Sequence, residues 1–178
     1  MIIAHNHIRP RTDQTEFTRR VPTGLSAKQM AQDAKIARQM VQAWDVEKSV
    51  DKLLDIWFRK SRLLSNPRYW ELLRTVWCAA GSTDNADRFR PYFKSSRPCR
   101  GWFMTPEDAV ELEKMEFPLK VWRAYDREPD PGISWTINEE WCHQYAEGMG
   151  RQVKERLVNR DEVFAFISRR HEQEIIIL

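Results

Sequence analysis

The chain has 178 residues, 42% of them hydrophobic and 31% charged, which suits a globular protein of one domain, or one domain with a helical extension. A net charge of +3 permits an anionic ligand such as a dinucleotide or RNA, but it is too small to indicate a dedicated nucleic-acid binder. Cys78, Cys99 and Cys142 lack zinc or disulfide spacing, Met1 to Arg20 has no apolar signal core, and no run approaches membrane-spanning length. The expectation is therefore a cytoplasmic protein that is neither secreted nor membrane-bound.

Residues 1–24 are polar and basic, with Pro10 and Pro22, and read as an irregular arm. Ser26 is a good N-cap, and Met30, Ala34, Ala37, Met40, Val41 and Trp44 recur at helical spacing after it. A second helix is expected near Val46–Leu64, with Val50, Leu53, Leu54, Trp57 and Phe58 inward. A third runs near Pro67–Ala80 and stops at Gly81; a short fourth covers Asn85–Phe93. Thr105-Pro106-Glu107-Asp108 starts a fifth, ending near Met115. The character then changes. Pro118–Tyr125 and Ile133–Thr136 read as strands, Asn138 caps a helix to about Gly148, and Val153–Val158, Val163–Ser168 and Glu172–Leu178 read as strands. The fold class is α+β: a helical part, 25–115, and a β-rich part, 116–178, forming one compact unit.

Three pieces of the β-rich part carry chemistry-bearing residues: Arg123 in Val121–Tyr125, Gly132-Ile133-Ser134-Trp135-Thr136, and Glu172-Gln173-Glu174 ahead of Ile175–Leu178. Residues i and i+2 of a strand share a face, so Glu172 and Glu174 would stand side by side. Each piece alone has an ordinary structural reading, as a surface ion pair, a capping turn or a solvated edge.

Together, and with Arg97-Pro-Cys-Arg100-Gly-Trp-Phe-Met104-Thr upstream, they resemble the arginine–serine–glutamate class of mono-ADP-ribosyltransferases, in its small phage and prophage form. The resemblance covers about residues 50–178 and is strongest after Arg97. It implies helices packed on two small antiparallel sheets around an NAD cleft, and transfer of ADP-ribose to a macromolecule without a metal. Glu174 matches the catalytic glutamate, which stabilises the oxocarbenium-like sugar. Glu172 matches the upstream acid that orients or deprotonates the acceptor. Arg123 matches the strand arginine that holds the dinucleotide, a task suited to a planar guanidinium. Ser134 matches the serine supporting the nicotinamide ribose and the glutamate. Thr136 holds the strand–helix junction beside the cleft. Tyr145 either stacks on nicotinamide or lies in the core, with core favoured.

Ala124 stands where many relatives carry Gly after the strand arginine, which implies weakened rather than lost cofactor binding. Four residues follow Glu174, as in compact phage-type relatives, so truncation is not expected. The resemblance implies a phage or prophage effector or toxin acting in a bacterial host cell. Protein arginine is the favoured acceptor, RNA or DNA the alternative, with room for a cognate antitoxin as partner. Arg170 and His171, with Arg169, are candidate acceptor contacts, or a solvated turn. Two other readings stay open: an NAD glycohydrolase, and a catalytically silent module that binds protein or nucleic acid. Elsewhere, His5 and His7 lack a third metal ligand, and Cys142 reads as packing. Arg11, Arg19 and Arg20, with Arg88, Arg90, Lys94, Arg97 and Arg100 and the interleaved Tyr92, Phe93 and Trp102, read first as surface charge and second as a phosphate-contacting face.

Overall fold

The computed structural model describes residues 22–80, 86–128, 132–168 and 172–178. Among them are six α-helices and a five-stranded antiparallel sheet, an α+β fold. The chain divides into two compact units, Met1–Tyr69 and Trp70–Leu178. Nearly all of the basic arm, with His5 and His7, lies outside the described residues, as do Gly81, Asn85 and Arg169 to His171.

In the first unit, α1 (Ala27–Val41) starts where the Ser26 hydroxyl accepts the Gln29 N–H. It runs into a π-helical turn, Gln42–Val46. Lys48 then adopts a φ of 53°, which no helix tolerates, and α2 (Val50–Lys60) restarts under a Ser49 cap. The expected start at Val46 is thereby displaced. α1 packs on α2, and it buries Asp33, Ile36 and Met40. Met30, expected inside, is 44% exposed. The reason is Asp33. Its carboxylate accepts the Ser65 N–H (3.0 Å) and hydroxyl (2.5 Å) and the Gln29 side-chain amide (2.9 Å). A helix has one inward face, and once Asp33 is drawn into it, positions three and seven further on follow. These bonds place a carboxylate before the first turn of α3 (Asn66–Ala80), where the helix dipole favours negative charge.

The second unit holds the rest of α3, then α4 (Ala86–Phe93), α5 (Pro106–Lys114), β1 (Leu119–Tyr125), β2 (Ser134–Thr136), α6 (Glu139–Met149), β3 (Gln152–Val158), β4 (Val163–Ile167) and β5 (Glu174–Ile177). α4 and α5 thus belong with the sheet, and α5 packs on β4, so the unit boundary falls inside α3 and not near residue 115. Thr105 caps α5 by accepting the Asp108 N–H, and Asn138 caps α6 by accepting that of Trp141. Gly150, at a φ of 65°, closes α6.

The strand order is β3-β1-β2-β5-β4, one continuous sheet where the resemblance implied two. The join between its halves is slight. β1 and β3 pair along their full lengths, whereas β1 meets β2 at one residue pair, Trp122 with Thr136. β2 pairs with β5 at all three of its residues. One apolar cluster gathers Leu112, Val121, Trp135, Phe166, Ile175 and Ile177. Another sets Trp122 and Ala124 against Cys142 and Ala146 of α6. The abundance of aromatic residues is explained by a third group, in which Trp77, Phe89, Phe93, Phe103 and Phe164 meet edge to face at 5.1–5.4 Å. Among the described residues no helix is long and apolar enough to cross a membrane.

Candidate functional site

The site grows from β2. Ile133 and Ile137 bond through their backbones to Ile177 of β5 and to Gln173 just ahead of it. In an antiparallel ladder alternate residues direct their backbone groups to opposite sides, so Ser134 and Thr136 offer theirs to β1. The ladder with β1 consists of the single pair at Trp122, and the Ser134 carbonyl finds its donor in a side chain: Arg123 Nη1, at 2.5 Å. Arg123 is 5% exposed, and a charge buried that deeply requires such bonds. Gly132 makes the room. A Cβ on Gly132 would stand 1.8 Å from Arg123 Nη2, so the guanidinium occupies the volume a side chain would take.

The Ser134 hydroxyl turns the other way, to the first residue of β5. It donates to Glu174 Oε1 at 2.5 Å. Trp77 Nε1 of α3 donates to the same oxygen at 3.0 Å. Glu174 is 8% exposed, and the Ser134 and Trp77 donors replace water that its carboxyl group has lost. A cation and a carboxylate are therefore joined through one residue, Ser134, by its carbonyl on one side and its hydroxyl on the other.

Thr136 is buried, its hydroxyl donating to the Glu172 carbonyl while accepting the Asn138 N–H (3.0 Å). It ties the start of α6 to the segment ahead of β5, which is the junction role expected of it. The Glu172–Glu174 pairing is corrected. β5 begins at Glu174, and Gln173 has a φ of 45°, so the period-two alternation that would put both acids on one strand face does not extend to Glu172. Glu172 is half-buried, in the turn before the strand.

Compared with protein-family models, with curated proteins and with solved structures, the chain matches none.

The other candidates fall apart from this group. Ala124 points its side chain into the cluster under α6. Tyr145 is exposed at 36%, not core as favoured; it stacks on Trp141 at 5.1 Å and its hydroxyl accepts from Arg151. Burial pushes the Cys142 thiol up to about 11, against the opposing pull of Arg123, so it stays protonated and inert. Phe93 is buried and Arg100 lies over the Phe164 ring at 4.0 Å, so Phe93 is not a stacking platform among the arginines. Arg170 and His171 lie outside the described residues.

The roles of three contributors had no signal in the sequence. Trp77 is one apolar position among several on α3. Gly132 opens the Gly132–Thr136 motif, but nothing there marks it as the room for the Arg123 guanidinium. Asp108, wholly buried, accepts Arg74 Nη2 at 2.7 Å and the Ser168 N–H and hydroxyl at 3.0 and 2.5 Å. It anchors the end of β4, the strand that pairs with β5. Burial alone would raise its carboxyl, but the Arg74 guanidinium and the Ser168 donors outweigh that and hold it below the usual carboxylate range.

Proposed function

We propose that the protein transfers ADP-ribose from NAD to a macromolecular acceptor and releases nicotinamide. The observation that carries this reading is the hydrogen bond from Ser134 to the buried Glu174, with Arg123 held on the carbonyl of the same serine. The motif resemblance pairs these residue types, and Ser134 of β2 is bonded to Arg123 of β1 by its carbonyl and to Glu174 of β5 by its hydroxyl.

The chemistry follows from charge. As the glycosidic C–N bond breaks, its electron pair leaves with nicotinamide and positive charge grows on the ribose. A fixed carboxylate beside that carbon lowers the barrier because its dipoles need no rearrangement. Glu174, held by two donors, is such a group. The Arg123 guanidinium suits the anionic, hydroxyl-rich remainder of NAD. The acceptor nucleophile then bonds to the ribose carbon and gives up a proton. Glu172 is the candidate base, and its place in a turn, off the strand, gives it reach toward a bound macromolecule. An arginine side chain is the acceptor this acid favours, with RNA or DNA as the other class. A bacterial cytoplasm, and a role as a phage-type effector, complete the proposal.

The test is incubation of labelled NAD with a bacterial lysate, wild type beside Glu174→Gln. The substitution keeps an acceptor oxygen for Ser134 and Trp77 and removes the charge. Label that is protease-sensitive and falls about 100-fold or more in the variant supports protein modification. Nuclease-sensitive label moves the acceptor to nucleic acid. Free nicotinamide without labelled macromolecule identifies a glycohydrolase. No nicotinamide and no NAD binding sinks the enzyme reading and leaves a binding module.

A further inference from the structure

Resting on the reading just given, we infer that Trp77 is a positioning residue for Glu174, so that the catalytic carboxylate is aimed by α3 as well as by β2. The indole N–H donates to Glu174 Oε1 at 3.0 Å, the same oxygen that takes the Ser134 hydroxyl. Two donors on one oxygen, arriving from a helix and from a strand, restrict rotation of the carboxylate about its last torsion, a torsion that is otherwise broad.

The indole is itself immobilised. Trp77 is 1% exposed, and Phe89 and Phe93 meet its ring edge-on at 5.4 and 5.1 Å, with interplanar angles of 79° and 84°. Phe93 in turn meets Phe164 of β4, at 5.2 Å. β4 pairs with β5, and Ile167 lies opposite Glu174 in that ladder. The aromatic group thus joins the helix carrying the donor to the strand next to the acceptor, which fixes the spacing between them.

Trp70 lies two turns before Trp77 on the same face of α3. Its N–H goes to backbone carbonyls, those of Arg97 and Pro98 at 3.2 and 2.9 Å. A backbone carbonyl satisfies a buried N–H without burying a charge. Trp77 instead donates to the buried carboxyl group of Glu174, a side chain that is costly to desolvate.

The experiment uses Trp77→Phe, which keeps a ring for Phe89 and Phe93 and deletes only the donor. Nicotinamide release by the full chain should fall about 10-fold in kcat, the size of one hydrogen bond to a charged group, with the KM for NAD within about two-fold. In a Glu174→Gln background the same change should leave the residual rate unaltered, whereas a purely structural loss would lower it again. With tryptophan nitrogens labelled, one indole resonance of the eight Trp should vanish in Trp77→Phe and shift in Glu174→Gln. An active wild type with Trp77→Phe at the same kcat, or an indole resonance that ignores Glu174→Gln, overturns the inference. A wild type that releases no nicotinamide overturns the proposed reaction instead, and with it any catalytic purpose for Trp77.

Discussion

Replacing Asp108 by Ala should be the most damaging single change in the second unit. The carboxylate is wholly buried, and its removal strips the Arg74 guanidinium, whose side chain is 11% exposed, of its ion-pair partner. The Ser168 N–H and hydroxyl lose their acceptor as well. Breaking a buried pair from one side costs about 3–5 kcal/mol, because the remaining charge stays in low dielectric. At roughly 2–4 °C per kcal/mol for a chain of this size, the midpoint should drop by about 6–20 °C. The assay is urea unfolding beside a thermal scan, repeated from neutral to acid pH. Asp108 has a folded pKa below its unfolded value, so its contribution is complete above the unfolded value and fades as pH falls through the folded one. The gap between wild type and variant should therefore be constant near neutrality and narrow in acid as Asp108 is protonated. A double change to apolar residues, Arg74→Met with Asp108→Leu, should recover much of the loss. A single-variant loss below about 1 kcal/mol at pH 7 would refute the reasoning, since that is the range of a solvent-exposed pair.

Two further outcomes follow from the site. Gly132→Ala should displace the Arg123 guanidinium from the Ser134 carbonyl and, because that charge is buried, should also lower stability. NAD affinity should then fall about ten-fold or more, measured by calorimetry, and an unchanged affinity would remove Arg123 from the binding role. Cysteine reactivity separates by burial: exposed Cys99 should react with a thiol reagent within minutes at pH 8, while Cys142, its thiol raised to about 11, should react only on unfolding. Rapid labelling of native Cys142 would contradict its place under α6.

Local signals proved readable where the physics is local. Ser26, Thr105 and Asn138 cap the helices they precede, since a cap needs only the next three residues. The strands likewise lie close to where short apolar runs bounded by turn residues put them, and β4 and β5 are buried at every position. What could not be read depends on partners far along the chain. Asp33 and Asp108 are acids on helices and would normally face water. Each is buried by a serine, Ser65 or Ser168, 32 or 60 positions away. Glu172 misled for the opposite reason: one backbone angle, at Gln173, undoes a pattern that depends on unbroken extension. Arg123, Ser134 and Glu174 could be named from motif order, but the way they meet could not. That depends on β1 and β2 pairing at one position, which leaves the Ser134 carbonyl to Arg123, and on an indole from a helix whose sequence carries no mark of it.

The double use of Ser134 has a mechanical consequence. Its carbonyl sets the position of Arg123 and its hydroxyl that of Glu174, so one residue acts as a gauge block between opposite charges. Arg123 is rooted on β1 and Glu174 on β5, so these two bonds also tie β2 to each neighbouring strand through side chains, in addition to the backbone ladders.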